Sequence, residues 1–153
     1  RAVVHAVDAS NVALAVARQN AMALHIDVSF HHGDWWDGGW QRSLPAPPCL
    51  VVSNPPYIAL GDAHLVALAH EPQSALVAGP NGMDDIQTIV GGAAKHMPAG
   101  AWLLMEHGNT QGPTVCALLA QHQWVGIKTV NDLAAQPRCS GGKRPAFAGH
   151  AAP

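Results

Sequence analysis

The sequence predicts an α/β fold with a largely parallel sheet, and three observations carry that expectation. Short apolar runs rich in β-branched residues alternate with longer segments whose apolar residues recur at helical spacing. Asp8, Asp34 and Asn54 each stand just beyond one of the apolar runs, and ligands of open α/β sheets bind beyond the carboxyl ends of the strands. The 153 residues suffice for one domain with a sizeable core, and they contain neither an internal repeat nor a linker-like stretch.

Val3 to Val7 is the first apolar run and stops at Asp8. Ser10 then occupies an N-cap position ahead of the Ala-rich segment Asn11 to Met22, where Val12 and Val16, and Ala13, Ala17 and Ala21, fall four residues apart. This predicts strand, turn and helix, with the apolar stripe on a sheet and Arg18 and Gln19 toward water. Val28 to Phe30 reads as a second strand running into Gly33-Asp34-Trp35-Trp36, Asp37 to Pro48 as a loop, and Leu50 to Ser53 as a third strand. Asp62 to His70 is expected to form a short helix ended by Glu71-Pro72, since a residue before proline avoids the helical region. Ala78 to Gly82 is turn-rich. Asp84 and Asp85 open a helix to about Met97, where the acids complement the N-terminal dipole and Gly91-Gly92 weaken the middle. Ala101 to Met105 reads as a fourth strand closing on Glu106-His107-Gly108, about Gly112 to Gln123 as a helix, and Val125 to Val130 as a fifth strand. Ala146 to Ala148 is expected to pair antiparallel with Ile127 to Val130 across a Pro137 to Arg144 loop.

Charged residues make up 12% of the chain, well below the roughly 25% of an average soluble protein. The net charge is −2 with histidines neutral, and the Lys and Arg residues are scattered. Only Arg138 to Arg144 approaches a cluster, and it reads as a solvated loop, so the basic stripe of a nucleic-acid-binding domain is missing. No apolar stretch approaches the ~20 residues that span a bilayer, and no membrane partner is expected. Cys49, Cys116 and Cys139 are widely spaced and odd in number, which predicts free thiols, a reducing compartment and a cytoplasmic protein. Despite ten histidines, no Cys or His pair shows zinc-like spacing, so no metal is expected.

Asn54-Pro55-Pro56-Tyr57 follows the third strand directly. Each proline fixes its φ and lacks an N–H, so the loop offers carbonyls for which its own donors do not compete. A planar NH2 group entering there can give one hydrogen to the Asn54 side-chain oxygen and the other to the Pro55 carbonyl, with Tyr57 covering its flat face. That geometry selects amides and amino-bases. The same four residues also describe a plain stiff turn, since Asn-Pro initiates turns and Pro-Pro stiffens loops.

Asp8-Ala9-Ser10 with Ala13-Leu14, Ala17-Arg18 and Asn20-Ala21, then Gly33-Asp34-Trp35, Asn54-Pro55-Pro56-Tyr57-Ile58, Glu71-Pro72, Leu76-Val77-Ala78, Gly82-Met83 and Leu104-Met105-Glu106-His107-Gly108 resemble, in this order, the HemK/PrmC family. The likeness runs from Asp8 to about Gly142. It implies a class I S-adenosylmethionine-dependent methyltransferase with a Rossmann-like sheet. It also implies an activity, methylation of the side-chain nitrogen (N5) of the glutamine in the Gly-Gly-Gln motif of peptide-chain release factors. Asn-Pro-Pro-Tyr alone is shared with adenine-N6 and guanine-N2 enzymes, whereas Glu71-Pro72 and Glu106-His107-Gly108 are more characteristic. Carried onto this chain, the resemblance implies that Asp8 holds the ribose hydroxyls of S-adenosylmethionine, that Asp34 accepts from its adenine amino group and that Trp35 lies against the adenine ring. Asn54, Pro55, Pro56 and Tyr57 are implied as the catalytic set, with Asn54 also at the cofactor, the Pro55 carbonyl on the substrate amide and Tyr57 walling the pocket. Glu106 is read as structural, satisfying nearby backbone donors.

The Gly-rich loop expected before Asp8, the strand leading into it and an N-terminal helical domain do not appear in the sequence. The resemblance therefore implies that residues 1–153 are a partial, N-terminally truncated catalytic domain lacking the first strand. A gap or exposed edges are expected between the strands ending at Asp8 and at Ser53, and the chain alone is expected to bind S-adenosylmethionine poorly and to be weak or inactive. Three alternatives stand beside this reading. One is a nucleic-acid amino-group methyltransferase, against which the lack of a basic stripe argues. Another is an inactive scaffold that binds a partner through exposed edges. The third is a dehydrogenase-like nucleotide-binding domain, in which Asn54 to Tyr57 has no role.

Overall fold

The computed structural model describes residues 2–146, and these fall into two compact units, one up to Ala46 and the other from Pro47 onward. No helix among the described residues is long and apolar enough to cross a membrane.

The first unit is a β-α-β turn of chain: β1 (His5–Asp8), α1 (Asn11–Ala23) and β2 (Ser29–His32). The strands pair in parallel, with His5 opposite Ser29 and Asp8 opposite His32. α1 begins where the N-cap signal places it, the Ser10 hydroxyl accepting from Ala13 N at 3.2 Å. Its buried face differs from the expected stripe. Leu14 and Ala21 are buried and Ala17 half-buried, while Val12 and Val16 are exposed. Leu14, Ala17 and Ala21, spaced three and four apart, share one side of a 3.6-residue helix, and Val12 and Val16 project from another.

The second unit is built on four strands, β3 (Leu50–Ser53), β4 (Trp102–Glu106), β5 (Val125–Asn131) and β6 (Pro137–Lys143), in the order β3-β4-β6-β5, with helices α2 (Asp84–His96) and α3 (Gly112–Gln121). β3 and β4 are parallel. β6 runs antiparallel to both β4 and β5, so it alone of the four strands departs from the parallel expectation. β1 and β3 are edge strands of separate sheets.

The partner of β5 is a correction. It is Pro137–Lys143, read from the sequence as a loop; of the stretch 146–148 expected to pair there, residues 147 and 148 lie outside the described residues. A proline and two adjacent glycines disfavour a strand by local preference. The sheet demands those glycines: a Cβ on Gly141 would lie 2.4 Å from Leu103 O, and one on Gly142 3.2 Å from Trp124 Cβ.

The segment 62–70 is also corrected. It forms a 3-10 turn, Ala63–Val66, capped by the Asp62 carboxylate on His64 N at 2.9 Å, with a second such turn at Gln73–Ala75. Its backbone bonds join residues three apart, among them Leu65 N to Asp62 O and Leu68 N to Leu65 O. A stretch this short before a proline has neither the length nor the buried face that sustains an α-helix. α2 packs on β4 and α3, and α3 on β5 and β6. Ile86, Val90, Leu103, Met105, Val115 and Leu119 are fully buried, each worth about 1.5–3 kcal/mol of transfer free energy. This core holds the end of β4 beneath the site.

Candidate active site

In the second unit the chain leaves β3 through Asn54-Pro55-Pro56-Tyr57, with both prolines buried, Tyr57 half-buried and Asn54 exposed. The four residues line a pocket of about 250 Å³ together with Ile58, Leu68, Glu71, Ala75 and Leu76. The motif and Glu71 thus meet at one cavity. Among the described residues the Asn54 side chain has no hydrogen-bond partner, which leaves its amide oxygen for an incoming N–H.

The loop is tied down from several sides. Ile58 N donates to Leu76 O at 2.9 Å and Ala78 N to Ile58 O at 3.1 Å, a short parallel bridge that braces the pocket wall. The Tyr57 hydroxyl donates to Glu106 Oε1 at 3.1 Å. Glu106 thus accepts from a side chain of the motif itself, where the sequence reading assigned it to backbone donors. Burial first, then the hydrogen bond and the negative charge of Glu106, hold the Tyr57 phenol above the usual tyrosine range, and Arg138 pulls the other way. At the other end of the residue, Gln111 Nε2 donates to Tyr57 O at 3.0 Å and Gly82 O at 3.2 Å, while Gln111 Oε1 accepts from Gly108 N at 2.8 Å.

Beneath Glu106 lies a buried polar chain. His107 is fully buried, with Nδ1 2.8 Å from Gly108 O and Nε2 2.8 Å from Ser140 Oγ. A carbonyl only accepts, so Nδ1 carries the hydrogen. In the neutral ring Nε2 then accepts from the Ser140 hydroxyl, and Ser140 Oγ accepts from Thr129 Oγ1 at 2.7 Å. Arg138 Nη1 reaches His107 O and Arg138 Nε reaches Asp132 Oδ2, each at 3.3 Å. These bonds lock β4 to β6 and β5 just below the Glu106 side chain.

In the first unit, Asp8 and Asp34 are exposed beyond the carboxyl ends of β1 and β2, and Trp35 is half-buried. Gly33 N donates to Asp8 O at 3.2 Å, so the turn bearing Asp34 is anchored to the strand end bearing Asp8. Asp8 Oδ1 accepts from Ser10 N at 2.7 Å. Trp35 has a left-handed backbone, φ 48, and its carbonyl accepts from Trp40 Nε1 at 2.8 Å. Gly33 admits Trp40, since a Cβ there would lie 2.6 Å from Trp40 Cδ1. His31 joins this packing through His5 at 2.9 Å and Ser43 at 3.2 Å, and burial followed by the charge of His5 lowers its pKa. Carboxylates at two adjacent parallel-strand ends, with an indole in the following turn, suit a ligand that presents hydroxyls, an amino group and a flat ring. The two groups of residues belong to different units.

No protein-family model matches the chain. Over 150 residues it is 40% identical to the release factor glutamine methyltransferase of Xylella fastidiosa strain 9a5c, an alignment that covers 96% of this chain and 53% of that protein. The chain belongs to the release factor glutamine methyltransferase family. The Neisseria gonorrhoeae member is 40% identical over 146 residues, covering 93% of this chain and 52% of its own length. The chain therefore spans about half the length of the curated relatives it matches. Its fold is that of class I S-adenosylmethionine-dependent methyltransferases. A methyltransferase from Pyrococcus furiosus superposes with a TM-score of 0.66 at 12% identity, covering 94% of this chain and 64% of that one. The Thermus thermophilus 16S rRNA N2 G1207 methyltransferase, in complex with AdoMet and guanosine, gives 0.61 at 16% identity, covering 94% and 32%.

Within this family member, Gln111, Ser140 and Arg138 are the site residues that the sequence reading missed. Gln111 has one local signal: it stands at the N-cap of α3 but makes no capping bond there.

Proposed function

We propose that this chain carries the acceptor site of an S-adenosylmethionine-dependent methyltransferase acting on the side-chain amide nitrogen of glutamine in the Gly-Gly-Gln motif of a peptide-chain release factor. The observation that carries the reading is Asn54, exposed and unpartnered among the described residues at a pocket it lines with Pro55 and Tyr57. Among the described residues its lining holds the Glu71 carboxylate and no Lys or Arg, an environment that disfavours a phosphate backbone and accepts a neutral peptide loop. Two units within one catalytic domain, in the cytoplasm, complete the reading.

Asp8, Asp34 and Trp35 are assigned to the cofactor, through its ribose hydroxyls, adenine amino group and ring in that order. Bound there, S-adenosylmethionine supplies an electrophilic methyl. The chain's own residues do the rest. An amide nitrogen is a poor nucleophile because its lone pair is delocalised into the carbonyl. The Asn54 oxygen and the Pro55 carbonyl accept its two hydrogens, orient it and stabilise the positive charge that grows on it. Tyr57 covers the amide plane. Once methylated, the amide nitrogen would be strongly acidic and would lose one proton to water, so no side-chain base is needed.

The test is a mass spectrum of a purified release factor incubated with S-adenosylmethionine and the protein expressed from its complete reading frame. One added methyl on the Gly-Gly-Gln glutamine is expected. An unmodified peptide beside an active control enzyme would reject the reading and direct attention to exocyclic amines of nucleic acid.

A further inference from the structure

We infer that Gln111 is a positioning residue that, together with Glu106, clamps Tyr57 at its carbonyl and hydroxyl ends and thereby sets the aim of the Asn54 and Pro55 acceptors. The inference rests on the methyl-transfer reading for its consequence and on geometry for its substance.

Residues 55 and 56 have no N–H, so the motif cannot be anchored through donors of its own at those positions. Anchoring through a carbonyl remains open to it. Gln111 Nε2 supplies it, giving hydrogens to Tyr57 O at 3.0 Å and Gly82 O at 3.2 Å. The orientation of this amide is determined by its surroundings. Turned over, it would set oxygen against two carbonyl oxygens and NH2 against Gly108 N–H, which now donates to Oε1 at 2.8 Å. The backbone makes room for the bridge. Gly82 has φ 71, and a Cβ there would lie 2.2 Å from Tyr57 O and 2.9 Å from Gln111 Nε2. Glu106 ends β4 and Gln111 stands at the N-cap of α3, so the two ends of one short connection hold both ends of Tyr57. A side chain at an N-cap ordinarily serves its own helix. This one serves three other segments.

Tyr57 is the one tyrosine in the sequence, which gives the clamp a readout independent of activity. In the chain carrying carbon-labelled tyrosine, the single ring signal and its alkaline titration are followed by NMR for wild type, Gln111→Glu and Gln111→Met. Gln111→Glu keeps the shape and sets oxygen against the carbonyls, and Gln111→Met keeps the volume without donors, so a folding failure of one leaves the other. Both are expected to move and broaden the Tyr57 signal, and Gln111→Met, which adds no charge, to bring its titration back toward the ordinary tyrosine range. An unmoved signal and titration in a folded variant overturn the clamp. In the protein from the complete reading frame, the same variants are expected to lower kcat by about tenfold or more while the cofactor KM stays within about twofold. An unchanged kcat, or a cofactor KM that rises in step with the loss, overturns the positioning role. A wild type that methylates no glutamine while the Tyr57 signal still responds rejects the function reading and leaves the clamp standing.

Discussion

The hydroxyl of Tyr57 meets Oε1 of Glu106 at 3.1 Å across 49 residues of sequence, joining the loop after β3 to the end of β4. Two neighbouring parallel strands place those positions side by side, Ser53 pairing with Met105. The bond therefore follows from strand register, and it makes the half-buried phenol both a wall of the pocket and a tie across the sheet.

That tie carries a pH dependence. The folded chain holds the Tyr57 phenol above its usual range, chiefly by burial and then through Glu106. A group raised in the folded state contributes stability that is fully present below its unfolded pKa and is lost as pH rises through the folded value. Stability should therefore fall on the alkaline side, above the usual tyrosine range, and Tyr57→Phe should flatten that fall. At neutral pH the same substitution should cost about 1 kcal/mol for the lost bond. Urea unfolding of both proteins at a series of alkaline pH values checks this, and parallel curves would contradict it.

Asn54→Ala removes one acceptor of the proposed amide site and touches no internal hydrogen bond of the described residues. A drop in kcat of about 10²- to 10³-fold is expected, the scale of losing one preorganised transition-state contact. Affinity for S-adenosylmethionine should change by less than about twofold. Steady-state kinetics with calorimetry on the protein from its complete reading frame separates the two, and equal losses in both would assign Asn54 to cofactor binding instead.

Gly82→Ala and Gly61→Ala differ in one respect that matters. Both glycines have positive φ, 71 and 82, but a Cβ at Gly82 runs into Tyr57 O at 2.2 Å, whereas one at Gly61 meets nothing within 4 Å. Gly61→Ala should cost about 1 kcal/mol of backbone strain. Gly82→Ala should cost at least about 3 kcal/mol, because backbone must move as well. Thermal unfolding of the pair isolates the close approach.

Ser140→Ala takes the hydroxyl from between His107 Nε2 and Thr129 Oγ1 in a fully buried place. Leaving the imidazole nitrogen without its partner should cost about 1–3 kcal/mol. Ser74→Ala, at an exposed position, should stay within about 0.5 kcal/mol. Equal stabilities for the two variants would show that the His107 chain contributes nothing to the fold.

The sequence by itself determined the parts that local chemistry specifies. Ser10 capping α1, the acids opening α2, the apolar run Leu50–Ser53 and the donor-poor Asn54-Pro55-Pro56-Tyr57 loop all rest on neighbours in the chain, and the structure places each where those neighbours direct. The tertiary structure alone decided which face of α1 is buried, that Pro137–Lys143 is a strand between β4 and β5, that Glu106 accepts from Tyr57, and that Gln111 bridges three loops. Each of these depends on contacts between residues far apart in sequence. A glycine that looks like a turn signal can instead be the only residue thin enough for a strand pressed against Leu103 O. The value of a polar side chain is likewise set by whichever donor or acceptor the fold brings within reach.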